Sequence, residues 1–133
     1  MIDMDEQTVL EALKPLIAEV TRVELETIRM ESGLMTDLGA ASLDLLDLSF
    51  LIEERFDIRL EADEFTSHAQ ARLPDGVYEF NGYLTEAALG ALRELMPEVP
   101  PEKLRSPMRR TEIPSVLTVG VFVHLIQRKL NAR

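Results

Sequence analysis

The sequence predicts an all-α fold, a small helical bundle. Apolar residues recur at three- and four-residue spacing in four separate segments. Each of those segments is headed by a Ser, Thr or Asp of the kind that caps a helix. The one hairpin-like turn, Asn81-Gly82, lacks clean flanking strands. At 133 residues, with 46% apolar and 29% charged, the chain suits one compact domain, 1–133.

The first helix is expected from about Asp5 to Thr21, with Val9, Leu13, Ile17 and Val20 on one face. Asp5 or Thr8 could cap it, and Pro15 inside it should kink or split it by removing one backbone bond. Val23 to Met35 has no clear period and reads as a long loop with one short turn. Thr36 to Leu60 is the stretch around which the rest is organised: a loop, a sharp turn at Gly39, then a helix from Ser42 to near Phe56. Ser42 reads as its N-cap. Leu45, Leu48, Ile52 and Phe56 share one face, while Leu43, Leu46 and Phe50 form a second apolar strip. Asp44, Asp47 and Glu54 fall between the strips, with Glu53 near the rim. A helix apolar on two sides needs cover on both, so this one is expected to be a central wall.

Beyond it, Asp57 to Leu60 reads as an extended exit and Glu61 to Ala71 as a short helix. Leu73-Pro74-Asp75-Gly76 signals a turn. Val77 to Tyr83 gathers most of the later aromatics, and Thr85 heads a helix from Glu86 to Met96 with Leu89, Leu92 and Met96 aligned. Pro97 to Pro114 holds five of the seven prolines and is expected to be irregular. Thr118 announces the last helix, Val119 to about Leu130. There Val119, Phe122, Val123 and Ile126 face inward, and Arg128 and Lys129 suit the C-terminal end.

Composition narrows the function. No apolar run approaches the roughly 18 residues of a membrane span, and the acidic start MIDMDEQ does not resemble a secretory signal, so a cytoplasmic setting is expected. The chain has no Cys, which excludes disulfides, thiolate metal sites and a Cys nucleophile. Residues 1–70 hold 17 acids and 5 bases, net −12, against 7 acids and 9 bases, net +2, in 71–133. So acidic a front half argues against nucleic acid and for docking onto basic protein surfaces; the alternative is acidity for solubility alone.

Catalytic options are few. His124 sits in an apolar helix and reads as a packed or half-exposed residue; His68 lies near Ser67 and Asp63, but closeness in sequence is not a triad. No metal-ligand spacing is present, and Gly39 alone is no phosphate loop. The numerous carboxylates read as a solvated face rather than an acid/base couple.

Asp37-Leu38-Gly39-Ala40-Ala41-Ser42-Leu43-Asp44 resembles the attachment motif of the acyl carrier protein family, Asp-x-Gly-x-Asp-Ser-Leu-Asp. The likeness runs through the acidic, Leu-rich helix to Glu53-Glu54-Arg55-Phe56-Asp57-Ile58 and resumes at Leu117-Thr118-Val119-Gly120. It implies an acyl-carrier-like four-helix bundle, with an insertion at about 62–116 that adds a helix between the second and last bundle helices. The family likeness also implies a 4′-phosphopantetheine arm on Ser42, with Asp37, Gly39 and Leu43 around the attachment point. The arm's thiol would hold acyl groups as thioesters, so a chain without Cys loses nothing. A helix N-terminus suits the phosphate of such an arm. Asp44, Asp47, Glu53 and Glu54 match the acids that the family's partner enzymes engage.

The implied partners are a phosphopantetheinyl transferase and acyl-transferring and fatty acid synthesis enzymes with basic docking surfaces, met by a monomeric carrier that is not itself an enzyme. The implied acyl pocket is lined by residues such as Leu46, Phe50 and Val123, extended by Phe80, Tyr83 and Leu89 of the insertion. Ala41 departs from the pattern, standing where the family usually has Asp. The insertion either decorates the bundle, enlarges or lids the pocket, or gives a dedicated enzyme a second contact. It makes the chain similar to extended bacterial carriers of unusual fatty acids, such as the very long chains of lipid A. The other readings are an aminoacyl or polyketide carrier, an unmodified helical adaptor, and a small hydrolase.

Overall fold

The computed structural model describes residues 5–61, 64–73 and 76–132. The expected turn residues Pro74 and Asp75, and Ala62 and Asp63 ahead of the short helix, lie outside the described residues. The backbone falls into two compact units, Met1–Leu60 with Leu117–Arg133, and Glu61–Val116. Together they contain helices and one two-stranded hairpin among the described residues, so the fold class is all-α.

The first unit holds α1 (Glu6–Thr21), α2 (Ser42–Phe56) and α5 (Val119–Asn131). The Asp5 carboxylate accepts from the Thr8 amide at 2.7 Å and caps α1. Pro15 lies within α1 without ending it. The ring is exposed, so the missing amide leaves no buried carbonyl to strand. Val9, Leu13 and Ile17 bury one face of α1 completely, and the helix packs on both α2 and α5. Leu48 and Ile52 on α2 and Val119, Val123 and Ile126 on α5 have no accessible surface either. Each of these side chains contributes roughly 1.5–3 kcal/mol by leaving water. Thr118 caps α5 by accepting from the Val121 amide. The long connection from α1 to α2 contains one 3₁₀ turn, Leu25–Thr27, as its composition suggests.

The second unit holds α3 (Glu64–Ala71), strands β1 (Glu79–Phe80) and β2 (Tyr83–Leu84), and α4 (Glu86–Leu95), followed by 3₁₀ turns at Pro101–Lys103 and Arg110–Val116. The hairpin is real despite its short strands. Asn81 and Gly82 take φ of 54° and 85°, the left-handed pair that a tight two-residue turn requires. The Leu84 amide on the outer edge of β2 donates to the Met108 carbonyl at 2.8 Å, which ties the proline-rich segment to the hairpin. Thr85 caps α4 through the Ala88 amide. Against α3, α4 buries Leu89 and Leu92, and Met96 and Leu104 are equally enclosed in this unit.

Two expectations need correction. Ser42 is the first residue of α2, and Ala41 is the N-cap. A carboxylate takes over the capping role: Asp44 accepts from the Ala41 amide at 2.8 Å. The second strip on α2 is not covered either. Leu43, Leu46 and Phe50 are exposed, so α2 is a wall on one side only.

Candidate functional site

Ser42 is delivered by a loop whose own backbone holds its shape. The Gly33 amide donates to Asp37 Oδ2 at 2.7 Å, and the Gly33 carbonyl accepts from the amides of Asp37 and Leu38 at 2.9 and 3.0 Å. A Cβ on Gly33 would run into Thr36 Oγ1, so any other residue here makes the Thr36 side chain turn away. Leu38 and Ala40 are buried and pin the loop to the unit, while Gly39 between them is exposed with φ of +74°. The other side of the loop is tied to the start of α5. Leu34 N–H donates to Leu117 O at 3.0 Å, Val119 N–H to Ser32 O at 2.9 Å and Gly120 N–H to Met30 O at 2.8 Å. Thus Leu117-Thr118-Val119-Gly120 does structural work for residues more than seventy positions earlier.

The chain leaves this loop at Ala41 and enters α2 with the Ser42 hydroxyl exposed. That hydroxyl makes no hydrogen bond to any described residue. Ser32, Ser49 and Ser115 differ. Ser32 Oγ accepts from the Arg29 amide and is buried, Ser49 Oγ donates to the Leu45 carbonyl, and Ser115 Oγ donates to the Glu112 carbonyl. An accessible alcohol stands at the positive end of a 15-residue helix, beside first-turn amides that have no partner within the helix. Those residues fit a phosphodiester-linked group: the oxygen is reachable, and the helix end favours the negative charge.

Asp37 was expected beside the attachment point for the group's sake; in the structure its carboxylate closes the loop on Gly33. The four acids of α2 also divide. Asp44 caps the helix, and Glu53 Oε2 accepts from the Leu60 amide at 2.7 Å, fixing the exit after the left-handed Asp57. Asp47 and Glu54 are exposed and have no ion pair among the described residues. They lie alongside Leu43, Leu46 and Phe50, which are 73%, 52% and 60% exposed. An apolar stripe flanked by free carboxylates begins one residue after Ser42.

Of the six residues expected to line an acyl pocket, Leu46, Phe50 and Val123 belong to the first unit and Phe80, Tyr83 and Leu89 to the second. Leu46 and Phe50 face solvent, as do Phe80 and Tyr83, while Val123 and Leu89 have no accessible surface in the cores of different units.

Both histidines pair with glutamates. His124 Nε2 lies 2.8 Å from Glu6, linking α5 to α1, and His68 Nε2 lies 2.8 Å from the buried Glu64. No group of His, Asp and Glu among the described residues could hold a metal ion. No described helix is long and apolar enough to cross a membrane. One contact had no local signal in the sequence. The Arg109 guanidinium lies 5.0 Å from the Tyr83 ring centre and donates to its hydroxyl at 3.2 Å, across 26 residues. That bond holds the Arg109 pKa above its ordinary value.

Comparison with known proteins adds a family to this geometry. Residues 11–72 match the family model described as phosphopantetheine attachment site. The chain is 41% identical over 56 residues to an acyl carrier protein of Clostridium acetobutylicum, covering 42% of this chain and 73% of that protein. It is also 41% identical over 51 residues to the acyl carrier protein AcpXL of Rhizobium meliloti, covering 38% of this chain and 54% of that one. No solved structure matches.

Proposed function

The chain belongs to the acyl carrier protein family, whose prosthetic group is a covalent 4′-phosphopantetheine, and on that premise we propose that it is a specialised carrier loaded at Ser42. The group supplies the terminal thiol, absent from this Cys-free chain, through which acyl chains are held as thioesters. The protein's own part is to present one oxygen. The loop closed by Gly33 and Asp37 sets Ser42 at the start of α2, the unpaired first-turn amides offset the phosphate charge, and no neighbouring base competes for the hydroxyl. The exposed, unbonded Ser42 hydroxyl is the single observation that carries the reading.

Asp47 and Glu54, alongside Leu43, Leu46 and Phe50, form the face that meets the transferase and the acyl-handling enzymes. Asp44 and Glu53 hold that face in shape. Ala41 costs nothing in packing because its position is exposed, so the missing carboxylate alters recognition rather than folding. The carrier engages each enzyme as a monomer, in the cytoplasm, and is not itself a catalyst. Its cargo is a long or unusual acyl chain for fatty acid or lipid synthesis; the insertion at about 62–116, most of which lies beyond the matched residues 11–72, is what sets it apart from a housekeeping carrier.

The intact mass of the chain purified under mild conditions from its own cells reads arm and cargo together. We expect the mass of the polypeptide plus one phosphopantetheinyl group, part of it carrying an acyl chain unlike that on the housekeeping carrier of the same cells. A bare polypeptide mass would make it an adaptor, and an aminoacyl cargo would place it in a different pathway.

A further inference from the structure

The start of α2 differs from the starts of α1, α4 and α5. In those three the N-cap is Asp5, Thr85 or Thr118, and its side-chain oxygen accepts from the amide three residues on. At α2 that position is Ala41, whose methyl accepts nothing. Asp44 meets the amide of Ala41 itself, ahead of the helix, and not a first-turn donor. The amides of Leu43 and Asp44 therefore have no acceptor among the described residues. Residues 30–54 also contain no Lys, Arg or His. An anion fixed to Ser42 meets backbone donors there and no cationic side chain from its own stretch.

We propose that Ala41 keeps these two amides open for the phosphodiester of the Ser42 arm, so that they hold the root of the arm where a capping side chain would otherwise sit. The proposal rests on loading at Ser42, and the anion comes with the family's prosthetic group rather than from the helix end. Charge-assisted bonds from the amides and the positive end of α2 act in the same direction. The half-buried Asp44 carboxylate is a like charge and opposes them. Its repulsion is weakened by salt, whereas hydrogen bonds to the phosphate are short-ranged and are not. A carboxylate at position 41, as the family usually carries, would claim the same donors and leave the root of the arm free. Ala41 is thus a positioning residue: it fixes the direction in which the arm leaves the protein and narrows the arc its thiol sweeps.

Amide hydrogen exchange by NMR tests this on the full chain, before and after loading with coenzyme A and a broad-specificity transferase. Intact mass first establishes that each sample carries the arm. In the wild type we expect loading to slow exchange at Leu43 and Asp44 about tenfold, the scale of one charge-assisted hydrogen bond, with Leu48 and Ile52 unchanged. Ala41→Gly brings no competing oxygen and should repeat that result. In Ala41→Asp the new carboxylate takes the Asp44 amide, which should exchange slowly before loading and change less than about twofold after it. A loaded wild type with unchanged exchange at both amides would overturn the proposal and leave the carrier reading standing. So would an equal slowing in loaded Ala41→Asp, because a nearby negative charge without a bond would then account for it. A chain that takes up no arm would overturn both.

Discussion

The two units of this chain solve different problems with the same helical means. The first is assembled from distant pieces, Met1–Leu60 and Leu117–Arg133, and the backbone hydrogen bonds that join them run through the loop leading to Ser42. The second is a continuous stretch, Glu61–Val116, with a core of its own around Leu89, Leu92, Met96 and Leu104. The first unit spends its long-range contacts on placing a single hydroxyl. The second spends its own on the Arg109–Tyr83 pair, which frames an exposed aromatic patch. The outward faces differ in composition: Asp47 and Glu54 beside the apolar stripe of α2, and Arg109 and Arg110 with Glu79 beside the apolar residues of the hairpin. Position in the fold, more than residue type, decides which side chains are surface for a purpose and which are filling.

The sharpest contrast is between core and face within α2. Leu48→Ala removes a side chain with no accessible surface and should cost about 2–5 kcal/mol in urea unfolding. Phe50→Ser, two residues on and exposed, should stay within about 0.5 kcal/mol. A large loss from Phe50→Ser would mean that the stripe is covered in solution. Next in size is the face itself. Asp47→Lys with Glu54→Lys should weaken encounter with a basic transferase about tenfold or more at low salt, seen as a lower kcat/KM for modification with stability unchanged. An unchanged rate would move the docking face off α2.

The loop comes third. Gly33→Ala forces a Cβ into Thr36 Oγ1, and we expect about 1–3 kcal/mol of destabilisation, together with faster hydrogen exchange at Leu34 and Ala40. Smallest is the cap of α1. The Thr8 bonds hold the Asp5 carboxyl below its ordinary pKa, so its contribution is present above the unfolded value and is lost as pH falls through the folded one. Asp5→Asn should therefore flatten the acid limb of a helicity titration slightly, below the usual carboxylate range and nowhere else.

Much of this architecture was legible in the sequence because it is local. Helical spacing and capping residues placed α1, α2, α4 and α5 to within a residue or two, and Thr85 and Thr118 act as the caps they resemble. The motif Asp37 to Asp44 pointed to the helix start where Ser42 stands exposed. The misreadings share one cause. Periodicity shows that residues lie on one face, but not what lies opposite, so the strip of Leu43, Leu46 and Phe50 reads as needing cover when it faces water. An acid at the third helical position is a recognisable cap, and Asp44 could have been read that way. No local rule links Glu53 to the Leu60 amide, Asp37 to Gly33, or Arg109 to Tyr83, because each depends on where the backbone goes next.

The most direct test is to localise the group. The chain is incubated with coenzyme A and a broad-specificity transferase, digested, and sequenced by tandem mass spectrometry. We predict one phosphopantetheinyl group, on Ser42 alone, and none on the Ser42→Ala variant. A group found on another serine, or a Ser42→Ala variant that is still modified, would contradict the account.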